Sequence, residues 1–179
     1  NMGLVEMGNR NNLSALLNLC GGELTAPRVW RASRSNSDAL VNWDGGLLRV
    51  NNADAELFSG GAVGLYPEVT VYDGGAVVDI PNAAMNKVVN TPLRRPQGLG
   101  LISIPVATSG AGYLGAPFVR ILGGGGKGAS AFAHIDPVSG ALTAIEITSP
   151  GTGYTTAPTV ALIGGGATTA ATLGAPVIG

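Results

Sequence analysis

The side chains able to do chemistry in this 179-residue chain are few and scattered. Asp44 and Asp73 each stand directly before a glycine pair, at Gly45-Gly46 and Gly74-Gly75. If the segments that carry them stack, the two carboxylates come close enough to bind Ca²⁺ or to share a proton. Aspartate before glycine is also a favoured turn residue that bonds its own backbone, and the related corner carries Cys20 instead, so turn chemistry is the expected role. Arginines cluster at Arg28, Arg31 and Arg34 and again at Arg94 and Arg95, with Trp30, Tyr66 and Tyr72 as the candidate aromatic platforms. Arg28, Trp30 and Arg31 are thus candidate contacts for a glycan, against the alternative of a solvated loop. His134 is the single histidine; with no serine or cysteine partner in a local motif it is assigned neither as a base nor as a metal ligand, and alternation places it outward.

Two glycine-rich stretches imitate nucleotide sites. Gly110-Ala-Gly112-Tyr113-Leu-Gly115 matches the dinucleotide fingerprint, but Gly151-Thr-Gly153-Tyr154-Thr-Thr156 lacks the third glycine, and no helix is predicted after either to receive a phosphate. Gly123 to Gly128 resembles a phosphate loop only superficially, because Ile121 stands where the first glycine belongs and Gly128 where a serine or threonine should follow Lys127. These are read as turns. The residues therefore predict no catalytic group, no cofactor and no metal.

The elements that must position these residues are repeats. Gly110-x-Gly112-Tyr113-x-x-Ala116-Pro117-x-Val119 recurs as Gly151-x-Gly153-Tyr154-x-x-Ala157-Pro158-x-Val160, and Gly123-Gly-Gly recurs at the same offset as Gly164-Gly-Gly. A fixed internal period marks a repeat architecture. Tyr113 and Tyr154 are expected to pack over the following Ala-Pro. Around them, Leu101–Val106, Phe118–Ile121 and Ala129–Ile135 read as strands, as do Leu142–Ile147, Val160–Leu162 and Thr168–Thr172.

A looser repeat fills the first half. Leu17-Asn-Leu19-Cys20-Gly21-Gly22-Glu23-Leu24 is echoed by Val41-Asn-Trp43-Asp44-Gly45-Gly46-Leu47-Leu48, then by Val69-Thr-Val71-Tyr72-Asp73-Gly74-Gly75-Ala76-Val77. Each unit is an alternating strand, a Gly-Gly corner and a second alternating strand. Glycine pairs at 21, 45 and 74 are spaced too widely for a hairpin and too closely for a domain; the spacing fits one coil of a parallel β-solenoid. The predicted inward ladders are Leu17–Val41–Val69, Leu19–Trp43–Val71 and Leu24–Leu48–Val77. Asp79 then falls where Ala26 and Val50 predict a small or apolar residue, which predicts a bulge. No segment carries a convincing amphipathic helix, Asn11–Leu19 coming nearest and ending as a strand.

The predicted fold is all-β: a right-handed parallel β-solenoid over 1–90 with Gly-Gly corners, a linker over 91–98, and two tandem 41-residue Gly-Tyr repeats over 99–179. Whether those repeats continue the solenoid or form a separate β-module the residues leave open. Hydrophobic residues at 45% argue against disorder, while 12% charged residues is about half the usual share. Net charge −1 offers no footprint for nucleic acid, and no apolar run is long enough for a membrane span. The single Cys20 excludes an intrachain disulfide, and it is expected to be a small buried hydrophobe.

The Leu-x-Leu-x-Gly-Gly units over roughly 1–98 resemble the autotransporter-associated β-strand repeat, and the Gly-Tyr-x-x-Ala-Pro units resemble modules that accompany such surface proteins and occur in viral fibres. The resemblance implies an extracellular or outer-surface bacterial scaffold with no catalytic residues to carry over; Cys20 departs from the polar residue expected before its glycines. The expected function is therefore a non-catalytic structural or adhesive protein: a stalk, surface scaffold or fibre subunit. The alternatives are a glycan-binding or glycan-cleaving β-helix and a viral tail-fibre segment. Expected partners are further copies meeting end to end, surface glycans or other cells. The chain opens without an initiator Met and without a secretory pattern, as expected of a processed form or a piece of something longer.

Overall fold

The computed structural model describes residues 5–7, 14–32, 38–52, 56–61, 65–82 and 84–179, and among them every regular element is a strand. The chain divides into two compact units, Asn1–Pro96 and Gln97–Gly179.

The first unit is a parallel β-solenoid of about three turns. Its three sheets are β1 (Val5–Met7), β4 (Val29–Arg31) and β7 (Phe58–Gly60); β2 (Ala15–Leu19), β5 (Ala39–Trp43), β8 (Glu68–Val71) and β10 (Leu93–Arg94); and β3 (Glu23–Ala26), β6 (Leu47–Val50) and β9 (Val77–Asp79). Every pairing among them is parallel. Alternation turns one row of each strand inward, and like residues stack: Leu17 on Val41 on Val69, Leu19 on Trp43 on Val71. Trp43 is fully buried, meets Phe58 edge to face at a centroid distance of 6.3 Å, and donates its indole N–H to Gly46 O at 2.5 Å. Gly46 has no room for a side chain, since a Cβ there would lie 2.8 Å from Leu19 O in the preceding coil.

The third ladder departs from expectation. Leu48 pairs Val78, and Val77 pairs Leu47 and is half exposed. Between Leu19 and Glu23, and between Trp43 and Leu47, a corner takes three residues; between Val71 and Val77 it takes five. The step from Leu48 to Val78 is therefore two positions longer than the step from Val41 to Val69. Aligning the Gly-Gly pairs misses that growth and slips the rung by one residue. Asp79 consequently pairs Arg49, an outward position that welcomes a charge, and the pairing of β6 with β9 continues through it without a bulge. Leu93–Arg94 of the expected linker is drawn into the stack as a fourth strand beside β8, and Thr91 Oγ1 donates to Pro67 O at 3.0 Å.

The second unit does not continue the solenoid. It contains β11 (Leu101–Ser103), β12 (Val106–Thr108), β13 (Phe118–Leu122), β14 (Lys127–Ile135), β15 (Leu142–Thr152), β16 (Thr159–Ile163), β17 (Thr172–Leu173) and β18 (Val177–Ile178), all paired antiparallel. The expected strand Leu101–Val106 is interrupted at Ile104-Pro105, and the expected strand Thr168–Thr172 does not form: Thr169 makes an isolated bridge to Ala111, and only Thr172 enters a strand, β17. Across β13 and β16, Phe118 faces Ile163, Arg120 faces Ala161 and Leu122 faces Thr159. Arg120 and Ala161 are equivalents in the 41-residue repeat, so the two repeats meet about an approximate two-fold axis through that pair. The core gathers Leu101, Ile104, Tyr113, Val119, Ala133 and Leu142.

Candidate functional site

At the coil corners, chemistry yields to capping. Asp44 Oδ1 accepts the Gly74 N–H at 2.7 Å, and Gly45 N donates to Gly75 O at 2.9 Å. The enlarged third corner brings Gly74 rather than Asp73 onto Asp44, so the carboxylate satisfies a backbone donor of the next coil. Among the described residues no group of three His, Cys, Asp or Glu side chains is placed to hold a metal. Cys20, at the first corner, is exposed and not the buried hydrophobe expected. Its thiol is pushed up by partial burial and then by the Asp44 charge, which keeps it protonated and a poor nucleophile at neutral pH.

Beside the corners runs an ion ladder that the sequence reading missed. Arg49 Nε donates to Asp79 Oδ2 at 2.7 Å and Nη1 to Glu23 Oε1 at 2.8 Å, while Thr25 Oγ1 donates to the same Glu23 oxygen at 3.0 Å. The hydrogen bond to Asp79, then the Glu23 charge, raise the arginine pKa further. One guanidinium thus ties three successive coils. The signal was available in the outward rung Thr25–Arg49–Asp79, once the register was known.

The candidate glycan contacts do not share a face. Strand alternation sends Trp30 and Arg31 to opposite sides of β4. Arg31 lies in the rung between Met7 and Gly60 and donates from Nη1 to Tyr66 O at 3.2 Å, holding a backbone carbonyl between coils. Arg28 precedes that strand and is half-buried, and Arg34 lies outside the described residues. Nearby, Lys87 Nζ donates to Pro27 O at 3.2 Å.

In the second unit the two tyrosines are buried, each against the glycine corner of the other repeat. A Cβ on Gly124 (φ 71°) would strike Tyr154 Cδ1 at 2.8 Å, and one on Gly165 (φ 80°) would strike Tyr113 Cδ1 at 2.8 Å. Both a left-handed backbone and a missing side chain are required there. Pro117 Cβ also lies 3.2 Å from the Cβ position on Gly165, so the Gly165 corner is closed by both Tyr113 and Pro117 of the other repeat. Tyr113 OH accepts the Ala171 N–H at 3.0 Å. The stretch that imitated a phosphate loop is thus a socket filled by a phenol ring, and the Gly-x-Gly-x-x-Gly match leads into strand β13. Gly110, Gly112, Gly151 and Gly153 turn the chain into each tyrosine, and Pro117 and Pro158 are buried beyond them. A shallow concavity of about 530 Å³ opens beside Tyr113, lined chiefly by Val160, Leu162, Ala170, Ala171 and Leu173 and holding no charged side chain.

His134 is exposed, as expected, and its Nε2 lies 2.6 Å from Glu146 Oε2 on the open face of the β14–β15 hairpin, with Phe132 edge-on at 5.1 Å. Nothing in the alternation of Leu142–Ile147 singled Glu146 out. In the hairpin loop, Asp136 Oδ1 accepts the N–H groups of Val138 and Ser139 at 2.7 and 3.0 Å, and those two bonds lower its pKa. Among the described residues no helix is long and apolar enough to cross a membrane. Comparison with protein-family models, curated proteins and solved structures returned no match.

Proposed function

We propose that this chain is a non-catalytic structural or adhesive element, a stalk, scaffold or fibre segment, carried outside the cell or on an outer bacterial surface. The observation that carries the reading is how the ionisable groups of the solenoid are used. Arg49 joins Glu23 and Asp79, Asp44 caps Gly74, and Arg31 holds Tyr66 O, each a tie from one coil to another. Groups engaged in that way hold a stack together. The resemblance of the Leu-x-Leu-x-Gly-Gly units to autotransporter-associated repeats supports the extracellular placement. End-to-end association draws support from the last coil, whose ladder residues Val78 and Leu93 keep 37% and 49% of their surface exposed beside open strand edges.

Two measurements test the reading. Sedimentation of the intact chain should show association that grows with concentration; a sharp monomer independent of concentration would remove the fibre and stack versions. Asp44→Ala, Asp73→Ala and His134→Ala should alter stability alone. Cleavage of a polysaccharide by the chain, lost in a folded Asp44→Ala variant, would put the glycan-cleaving alternative in its place.

A further inference from the structure

All four sheets of the second unit pair a strand of the first repeat with a strand of the second: β11 with β18, β12 with β17, β13 with β16, β14 with β15. No ladder there joins two strands of the same repeat. A lone repeat is therefore left with unpaired backbone along its whole length, which a folded chain does not tolerate.

The contact between repeats is also self-complementary. Each repeat carries a plug, Tyr113 or Tyr154, and a socket, the corner at Gly124 or Gly165 respectively, and each plug fills the other repeat's socket. The hydrogen bonds obey the same exchange. Tyr113 N donates to Gly140 O and Tyr154 N to Leu99 O; Leu114 N donates to Gly165 O and Thr155 N to Gly124 O. In each pair of bonds, donor and acceptor both shift by one repeat length, in opposite senses. A surface that binds its own equivalent about a two-fold axis is the kind that joins two identical chains.

We propose that the 41-residue repeat is a self-pairing element whose partner is another copy of itself, so that two copies of this chain exchange repeats across the Asp136–Gly140 hairpin. The hairpin is the one covalent link between the repeats, and its tip is open, Val138 being 95% exposed. Its two-fold counterpart already closes without a loop: Gly100 and Gly179 trade N–H to O=C bonds at 3.0 Å in both directions. One of two equivalent corners thus holds by hydrogen bonds alone. A reciprocal exchange gives a closed pair of chains, and an open exchange gives a linear chain of them. The proposal names a route of self-association within the scaffold reading, but it rests on the topology of the second unit alone.

The test cuts the full-length chain at a protease site inserted between Val138 and Ser139. The two fragments should elute together at the mass of the uncut protein and separate only in denaturant. Refolded together with a second cut copy that carries a mass tag, they should give hybrid particles in statistical proportion. Fragments that part on cutting, or that stay paired yet form no hybrids after joint refolding, would overturn the proposal. A second variant deletes Asp136–Ala141 and so joins the paired residues Ile135 and Leu142 directly, leaving no loop in which β14 and β15 can fold back in register. Its sedimenting mass should at least double, and a monomer, folded or unfolded, would overturn the proposal. Either failure leaves the scaffold reading standing, because that reading is decided by sedimentation of the intact wild-type chain.

Discussion

The two halves of this molecule repeat themselves by different symmetry operations. In residues 1–96 each coil is set on the last by translation, so strands are parallel and like residues stack. In residues 97–179 the second repeat is turned about a two-fold axis, so strands are antiparallel and each residue meets its counterpart from the far end of the strand. The tolerance to insertion differs accordingly. The solenoid absorbs two extra residues at its third corner, because a coil touches only its neighbours and a corner grows outward. From Gly110 to Gly166 the second unit keeps its repeat spacing constant, since a residue added to one repeat would unseat both tyrosines.

Substitutions can break or sharpen that contrast. The largest effect is expected from Trp43→Ala, which empties a fully buried site and should cost on the order of 3–5 kcal/mol. Followed by calorimetry, the loss should appear in the transition of the first unit and leave that of the second in place; an equal shift in both would mean that the units do not fold separately. Tyr113→Ala should cost about 3 kcal/mol, and hydrogen exchange should quicken in both repeats, because neither closes a ladder alone. Protection lost from one repeat only would break the two-fold account. Tyr113→Phe removes just the acceptor for Ala171 N and should cost about 1 kcal/mol.

Smaller effects belong to the exposed charges. Arg49→Ala should lower the midpoint of the first unit slightly, and the difference should shrink as salt rises, as expected of solvent-screened pairs. A midpoint difference unaffected by salt would place the contribution in packing of the side-chain stem. Asp136 has a folded pKa below its ordinary value, so its contribution is complete above the unfolded carboxylate range and is lost as pH falls through the lowered folded value. Asp136→Asn keeps an acceptor for Val138 and Ser139 but should flatten that acid limb in a pH series of second-unit stability. An unchanged acid limb would assign it to another carboxylate.

The stack was legible because alternation and Gly-Gly corners are local properties. Leu17, Leu19, Val41, Trp43, Val69 and Val71 stand in the ladders read from them. Val77 was misplaced because corner length is free in a solenoid: the glycines mark where the chain turns, and the strand pairing decides which residue follows. The apparent misfit of Asp79 was in fact the partner of Arg49, visible only once the two coils that carry them are in register. In the second half the repeat was legible but its orientation was not. A period records that two segments are alike, and translation and rotation leave the same record. The socket role of Gly124 and Gly165 was hidden for the same reason, since the ring that fills each belongs to the other repeat.

Disulfide mapping across β13 and β16 tests the two-fold arrangement most directly. In a Cys20→Ser background, Phe118→Cys/Ile163→Cys is compared with Phe118→Cys/Thr159→Cys. The rotated arrangement sets Phe118 opposite Ile163, whereas Thr159, its sequence equivalent in the second repeat, pairs Leu122 at the far end of the strand. Four residues of strand separate the alternatives by roughly 13 Å, beyond the ~7 Å Cα spacing that a disulfide spans. Mild oxidation should close the 118–163 bridge, within one chain or between exchanged copies, and leave the 118–159 pair reduced. A 118–159 bridge with none at 118–163 would mean that the repeats are translated copies, and would contradict the account.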